Sequence, residues 1–255
     1  MLDHEREAQF IQEGLDIIKA AEEKGIILRL MGAVAVKLHC PNYVHWYASM
    51  ARALTDLDFA SYGRCNPGMK KFFVERGYTP NQTIIAYYGQ HRHIYWNDRL
   101  GWQADIFFDE LAMCHKVNFR GRLELDYPTI TLTDILLEKM QIVKINPKDI
   151  KDSIIMLREH EVGAGEKEVF NTPYIVKLLA DDWGYYYTVT TNLNRVKSFL
   201  GEFEVLTAED RQDVTAKVDK LLQAIEEAPK SMKWKMRARL GAKQKWYNEV
   251  EEVGR

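Results

Sequence analysis

Apolar residues recur at helical spacing at the start of the chain and are replaced by short apolar runs further on. Residues 3–24 carry apolar positions three and four apart among charged ones, which predicts an amphipathic helix. The segment Gly25–Met31 is apolar except for one arginine and predicts a buried strand. Residues 32–39 then read as the start of a second helix, which Cys40-Pro41-Asn42 ends.

The middle of the chain alternates short apolar segments with turn residues. Residues 54–60 predict a second strand, and residues 67–77 predict a helix. Three further segments have strand character, namely Thr83–Tyr88, His91–Trp96 and Gln103–Phe108. The last two are separated by a polar stretch whose length suits a hairpin loop.

From Thr129 onward the pattern becomes helical. Thr131-Leu132-Thr133-Asp134 opens one helix, and a second amphipathic helix follows Asn146-Pro147. Beyond the glycines at 163 and 165, helices are predicted at residues 172–182, 186–201, 207–228 and 230–251. We therefore expect an α/β (α+β) fold, with a mixed β-sheet domain flanked by helices over residues 1–162 and a helical domain over residues 163–255.

Composition narrows the functional classes. The chain has 255 residues, of which 46% are apolar and 28% charged, and its net charge is −2. Nucleic-acid binders that act through a global field are usually strongly basic, so the charge gives no support to that class. The amino terminus is charged where a signal peptide is apolar, and no apolar run approaches the roughly 20 residues of a membrane span. We expect a cytoplasmic protein with no membrane partner.

Two aspartates in the second predicted strand are the first chemical signal. Asp56 and Asp58 are separated by one residue, so their side chains point to the same face of a strand. Carboxylates that close repel each other, and a divalent cation held by carboxylate oxygens relieves the repulsion. Gly32, just after the first strand, would let backbone N–H groups approach a phosphate at the positive end of a helix.

Asp105 is a third candidate, because it stands among apolar residues in the segment Gln103–Phe108. A charged residue in the middle of a buried strand is costly unless it is paired or bound to a metal. The alternative is an aspartate on an exposed edge strand.

The ordered set of these residues resembles the nucleotidyltransferase superfamily of the DNA polymerase β type. Gly32-Ala33 is followed by Asp56-Leu57-Asp58 and then by Asp105. Within the superfamily the chain is most similar to stand-alone AbiEii/AbiGii toxin-like nucleotidyltransferases. Arg52 stands just before the acidic pair, Lys139 lies in a later helix, and Lys148-Asp149-Ile150-Lys151-Asp152 follows. The chain departs from the usual Gly-Gly or Gly-Ser, because Ala33 lacks a hydroxyl that could help to hold a phosphate.

The resemblance implies roles for individual residues. Asp56, Asp58 and Asp105 would be the catalytic residues and would hold Mg²⁺, or Mn²⁺ in its place. Gly32 and Ala33 would approach the phosphates of a nucleoside triphosphate. Two cations would clamp those phosphates, Arg52 and Lys139. The alternatives are a surface ion pair for Arg52 and a solvated helix face for Lys139, while Asp149 and Asp152 are expected to orient Lys148 or to cap their own helix.

Three further clusters have a functional and a structural interpretation. His91 and His93, with Tyr95, could bind a transition metal or an adenine ring, although histidine pairs are common on exposed hairpins. The aromatic loop at residues 43–47 could stack on a base or pack upon itself. The segment 230–245 holds seven Lys or Arg and no acid, which suits RNA or an acidic partner but also a solvated helix.

The function implied by the resemblance is transfer of a nucleoside monophosphate from a nucleoside triphosphate to a hydroxyl group. The acceptor could be a small molecule, a protein or an RNA, and a toxin-like enzyme would have an antitoxin-like protein or RNA as partner. The alternatives are a catalytically silent binding or regulatory module with the same fold, and a helical scaffold that binds nucleic acid through residues 230–245.

Overall fold

The computed structural model describes residues 2–250, with side chains from Glu5 onward, and it has a mixed α/β architecture. The α-helices of this range are α1 Leu2–Glu23, α2 Gly32–His39, α3 Trp46–Ser49, α4 Asn66–Glu75, α5 Gln82–Tyr88, α6 Leu132–Met140, α7 Pro147–Glu159, α8 Thr172–Leu179, α9 Trp183–Phe199, α10 Ala208–Glu227 and α11 Met232–Ala238. The strands are β1 Leu28–Met31, β2 Asp56–Ser61, β3 Thr79–Pro80, β4 Arg92–Asn97, β5 Trp102–Phe108, β6 Glu110–Ala112, β7 Lys116–Asn118, β8 Glu161–Gly163 and β9 Val169–Asn171.

The main sheet has five strands in the order β1-β2-β5-β4-β3. Strands β2 and β5 run parallel, and the other neighbouring pairs run antiparallel. The predicted mixed sheet is therefore confirmed, as is the hairpin that joins β4 to β5. Because β5 lies between β2 and β4, Asp105 stands on an interior strand, and the edge-strand alternative is wrong.

One face of this sheet carries the hydrophobic core. Leu57 and Phe59 of β2 and Ile106 of β5 point to this face and are fully buried, and α1 and α4 pack against it. Strand side chains alternate between faces, so Asp56 and Asp58 point the other way. Burial of a large apolar side chain stabilises the fold by about 1.5–3 kcal/mol. The register of β2 is thus fixed by its apolar residues, and its aspartates follow.

Contacts along the chain group it into two compact units. The first takes residues up to Leu38 together with Ala53–Leu111 and Asn118–Thr131, and it holds the five-stranded sheet. The second takes His39–Arg52, Ala112–Val117 and the residues from Leu132 on. Helices α6 and α7 group with the later helices in this second unit. The division of the chain at residue 162 stays a prediction.

The predicted strand Thr83–Tyr88 is wrong, because this segment is the helix α5. The Asn81 side chain accepts a hydrogen bond from the Ile84 backbone N–H and so caps the first turn. Ile84 is buried while Tyr87 and Tyr88 are exposed, so the segment has the one-sided burial of a surface helix.

The predicted helix 230–251 is too long, since α11 ends at Ala238. Gly241 has a positive φ of 58°, which interrupts a helix. The Arg237 guanidinium then donates to the backbone oxygens of Gly241 and Gln244 at 2.9 and 2.7 Å and holds the chain in a loop. Helices α8, α9 and α10 lie within a few residues of their predicted positions.

The helices of the described range differ from membrane spans in length or polarity. The longest, α1, has 22 residues and carries charged side chains throughout. No helix between residues 2 and 250 is both long enough and apolar enough to cross a bilayer.

Candidate active site

The three predicted carboxylates of the first unit lie on one face of the sheet. Asp56 and Asp58 are two residues apart on β2 and point to the same side. The parallel register between β2 and β5 pairs Asp58 directly with Asp105. We call Asp56, Asp58 and Asp105 the carboxylate face, and it is the face opposite to the hydrophobic core.

Burial differs among the members of the carboxylate face. The Asp105 side chain is almost completely buried, with 4% of the residue exposed, while Asp56 and Asp58 are half-buried. Burial raises the pKa of Asp105, the hydrogen-bonded Arg92 guanidinium opposes that rise, and the nearby Asp56 carboxylate adds to it. Concentrated negative charge at half-buried positions is the electrostatic setting in which a cation binds.

Gly32 fits so closely against the carboxylate face that a side chain at this position would require Asp58 to move. Strand pairing sets Met31 opposite Asp58, and Gly32 follows with a φ of 65°, in the left-handed region. A Cβ atom at Gly32 would overlap Asp58 Oδ2 and lie 3.2 Å from its Cγ. The backbone at the start of α2 therefore runs directly beside the Asp58 carboxylate. The approach of Gly32 to a phosphate stays a prediction.

Arg92 is the functional candidate that sequence reasoning missed. It lies on β4 two residues before Ile94, and Ile94 is the register partner of Asp105. The Arg92 guanidinium donates from Nε to Asp105 Oδ1 at 2.9 Å and from Nη2 to Asp105 Oδ2 at 2.5 Å. Such a two-point pair is among the strong hydrogen-bond arrangements of proteins. The signal was available in the predicted hairpin, because the residue two before Ile94 shares its face.

Arg52 and Lys139, the two predicted phosphate clamps, lie in the second unit and are both buried. Arg52 donates to Asp152 from Nε at 2.9 Å and from Nη2 at 2.8 Å. Lys139 Nζ lies 3.1 Å from Asp149 Oδ1, 3.3 Å from Asp152 Oδ2 and 3.5 Å from Glu138 Oε1. We call Arg52, Glu138, Lys139, Asp149 and Asp152 the ion cluster.

The ion cluster overturns three structural alternatives drawn from the sequence. Lys139 is not on a solvated helix face, and the ion pair of Arg52 is buried rather than on the surface. Asp149 and Asp152 orient Lys139 and Arg52, not Lys148. Burial lowers the pKa of Lys139, but Asp149 and Asp152 outweigh it and the pKa is raised, so the ammonium stays charged.

His93 and Tyr95 belong to the hydrophobic core and not to an exposed metal site. His93 Nδ1 lies 2.8 Å from the Tyr95 hydroxyl, and both side chains are buried. The Tyr95 ring stacks on Phe73 with centroids 4.5 Å apart. Burial lowers the pKa of His93 and favours its neutral form. His91 precedes β4 and is exposed, so the two histidines differ in burial, although both line one groove.

The aromatic loop at residues 43–47 packs upon itself, as one of the two interpretations expected. Trp46 and Tyr47 are buried in the short helix α3, and the Tyr43 and Trp46 rings lie 4.7 Å apart. The Arg158 guanidinium covers Tyr43 at 4.8 Å from the ring centroid. Few aromatic faces of this loop remain for stacking on a base.

The two tryptophans of the basic segment 230–246 are also engaged within the second unit. The Trp234 ring packs edge-on against Tyr186 at 5.1 Å, and Trp246 Nε1 donates to Thr188 Oγ1 at 3.0 Å. Stacking of RNA bases on this segment would need aromatic faces that are free. The packing of the two tryptophans weakens the nucleic-acid hypothesis, although several lysines and arginines of the segment remain exposed.

A groove of about 700 Å³ opens between α4, α5 and the start of β4 in the first unit. Its lining residues include Lys70, Tyr88 and the predicted histidine pair, His91 and His93. Asp56, Asp58 and Asp105 do not border it. The carboxylate face is thus distinct from this groove.

The carboxylate face has the ligands that a hard divalent cation prefers, because its donors are carboxylate oxygens beside a closely approaching backbone. Comparisons of the chain with protein-family models, with curated proteins and with solved structures found no match. The assignment to the nucleotidyltransferase superfamily therefore stays a prediction from residues 32–152 and from the geometry described above.

Proposed function

We propose that this protein is a Mg²⁺-dependent nucleotidyltransferase with a nucleotidyltransferase-type fold in its first unit. The observation that carries the proposal is the convergence of Asp56, Asp58 and Asp105 on one sheet face, with Gly32 pressed against Asp58. Their convergence is expected of a metal–triphosphate site.

The carboxylate face fits Mg²⁺, and it would also accept Mn²⁺. Both ions prefer oxygen ligands, and Mg²⁺ is commonly held by one or two carboxylates together with substrate phosphates. Asp56 and Asp58 are half-buried and adjacent, so they are the residues that would hold the ion. When bound, the ion would neutralise the charge that develops on the triphosphate during transfer.

The reaction joins an acceptor hydroxyl oxygen to the α-phosphorus of the nucleoside triphosphate. The bond between that phosphorus and the oxygen leading to the β-phosphate breaks, pyrophosphate leaves, and the hydroxyl proton passes to a base or to water. Gly32 begins α2, and the backbone N–H groups at the N-terminus of a helix favour negative charge. Arg52 and Lys139 remain predicted nucleotide ligands. To bind phosphate, each would have to leave a buried carboxylate partner.

A transfer assay tests the proposal. The protein is incubated with each of the four α-³²P-labelled nucleoside triphosphates, with Mg²⁺, and with separate pools of tRNA, protein and small hydroxyl compounds. We expect label in one pool, lost by about 100-fold or more in Asp58→Asn because the metal ligand is gone. Asp98→Asn, in the exposed β4–β5 loop, is the matched control and should label normally. Transfer that survives Asp58→Asn, or no transfer to any pool, would contradict the proposal.

A second candidate, a catalytically silent binding module, is favoured by one specific observation. Asp105 is already neutralised by Arg92, so the third carboxylate is less able to act as a proton acceptor than a free one. A silent module would bind a nucleoside triphosphate with Mg²⁺ but release no pyrophosphate. Measuring both binding and pyrophosphate release on the same sample separates the two candidates.

A further inference from the structure

The cation nearest to the buried carboxylate of the candidate site is supplied by the chain itself. Both oxygens of Asp105 accept hydrogen bonds from Arg92, and Asp58 also contributes to the electrostatic field at the guanidinium. The Arg92 guanidinium lies over the Phe107 ring, with its carbon 5.1 Å from the ring centroid. Arg92 is therefore held in place by an ion pair on one side and an aromatic ring on the other.

The Arg92 side chain is not sealed inside the protein. It is 23% exposed, whereas that of Asp105 is 6% exposed. Its hydrogen bonds within the described residues run through Nε and Nη2 and end on Asp105. The guanidinium fork has five N–H donors, so Nη1 keeps two that can meet an incoming phosphate oxygen.

The ion pair of Asp105 limits how many divalent ions the nucleotide-free face can take. Both oxygens of Asp105 already accept hydrogen bonds from Arg92. A second ion at Asp105 would compete with the guanidinium for these oxygens. A guanidinium in two-point contact occupies a lone-pair position on each oxygen and places a positive charge beside the carboxylate, which disfavours a metal ion there.

We propose that Arg92 takes the place of a second metal ion: it neutralises Asp105 and offers Nη1 to a nucleotide phosphate, so that the face binds one divalent ion, through Asp56 and Asp58. This inference rests on the proposed function and deepens it. Asp105 is then a residue that positions Arg92 and not a metal ligand. The site works with one metal ion and one fixed cation.

Mn²⁺ binding to the full-length, nucleotide-free protein tests this inference, with the free ion measured by electron paramagnetic resonance. We expect one Mn²⁺ per chain for the natural protein. In Arg92→Gln, Asp105 loses its cation, so we expect a second Mn²⁺ to bind. We also expect the affinity for the first Mn²⁺ to rise by about tenfold or more. Arg92→Lys, which keeps the charge, should still bind one Mn²⁺ per chain. Arg120→Gln, which removes the partner of Asp109 in an exposed pair, is the matched control and should also remain at one.

Asp105→Asn keeps the inference testable if Arg92→Gln does not fold. Because Asp105 is not a ligand in this account, the variant should still bind one Mn²⁺, weakened less than about tenfold by the lost charge. Asp58→Asn should weaken Mn²⁺ binding by about 100-fold or more. Circular dichroism shows which variants are folded.

Several results would overturn the inference, and they differ in whether they also contradict the metal site. Two Mn²⁺ ions on the natural protein, one ion on a folded Arg92→Gln, or complete loss of binding in Asp105→Asn would reject the role of Arg92 but keep the metal site. Absence of Mn²⁺ binding from every variant would reject the metal site of the proposed function as well.

Discussion

The carboxylate face and the ion cluster contain the same number of acidic residues, but they differ in burial and in the pairing of these acids with cations. Each has three carboxylates. The ion cluster also has two cations, and its five residues are all buried. In the carboxylate face Arg92 pairs with Asp105, and the two other acids are half-buried. The ion cluster thus holds its acids beside two buried cations, whereas Asp56 and Asp58 lie side by side at half-buried positions.

This difference separates a structural arrangement from a binding arrangement. A buried charge is stable only when it is paired and hydrogen-bonded, and the ion cluster meets that condition without help. In the carboxylate face, Asp56 and Asp58 share one side of a strand, and like charges that close repel each other. A divalent cation held by carboxylate oxygens would relieve this repulsion.

The largest expected effect is the loss of the carboxylate shared by both cations of the ion cluster. Asp152→Asn leaves Arg52 and Lys139 buried with one counter-ion fewer each. Breaking a buried ion pair from one side costs about 3–5 kcal/mol, so the free energy of unfolding should fall by that amount. Urea denaturation followed by circular dichroism measures it.

The control for this variant is a surface pair of the same chemistry. Asp219→Asn removes the partner of Lys197, with side chains 54% and 30% exposed, and should cost less than about 1 kcal/mol. If Asp152→Asn cost no more than Asp219→Asn, the ion cluster would not be the structural element described here, and Arg52 and Lys139 would again be free to act as phosphate clamps.

A glycine pair tests the tight contact at the carboxylate face. Gly32 and Gly77 both have positive φ values, but a Cβ at Gly32 would overlap Asp58 while one at Gly77 meets nothing within 4 Å. Gly77→Ala should cost about 1–2 kcal/mol from backbone strain alone. Gly32→Ala should cost at least about 1 kcal/mol more and should also weaken Mn²⁺ binding, because Asp58 has to move. Equal costs and unchanged Mn²⁺ affinity would show that the close approach has no role.

His115, a buried histidine of the second unit, has no carboxylate in hydrogen-bond contact within the described residues, and burial therefore disfavours its charged form. Burial lowers the pKa of His115 to about 4, with a small opposing contribution from Asp182, and the ring stacks on Tyr185 and bonds to Thr188 Oγ1 at 2.8 Å. The unfolded form has a pKa near 6.5, so between pH 6.5 and 4 the unfolded chain binds the extra proton. Acidification through this window therefore destabilises the fold.

From pH 7 to pH 5 the free energy of unfolding should fall by about 2 kcal/mol through His115. Urea denaturation at the two pH values measures the change. His115→Gln, which removes the titrating group, should flatten this dependence, while the exposed His45→Gln should not. An unchanged pH dependence in His115→Gln would mean that His115 is charged in the fold, contrary to the contrast drawn with the ion cluster.

The sequence predicted correctly the strands whose structure depends on their own pattern of apolar and polar residues. The alternation of apolar and acidic residues in β2, and the hydrophobic face of β5, predicted the parts of the sheet that carry the site. The segment Thr83–Tyr88 was misassigned because two isoleucines and two tyrosines favour a strand. The Asn81 cap and the solvent exposure of the tyrosines decide for a helix.

Pairings between distant residues were beyond the reach of the sequence. Asp152 and Arg52 are 100 residues apart, and nothing in their local sequence shows that they share a buried site. Arg92 was closer to prediction, because the hairpin that holds it was foreseen. The missing step was its register, which depends on how both strands pack against the core.

The central claim is that the carboxylate face binds a divalent ion together with a nucleoside triphosphate. Thermal stability with each of the four nucleoside triphosphates, with and without Mg²⁺, tests it directly in the natural protein and in Asp56→Asn/Asp58→Asn. A ligand at about 100 times its Kd stabilises the folded state by about 2.7 kcal/mol, which is a shift of several degrees. We expect a Mg²⁺-dependent rise with at least one nucleotide that disappears in the double variant. A rise that persists in the double variant, or no rise with any nucleotide at millimolar concentration, would contradict the account.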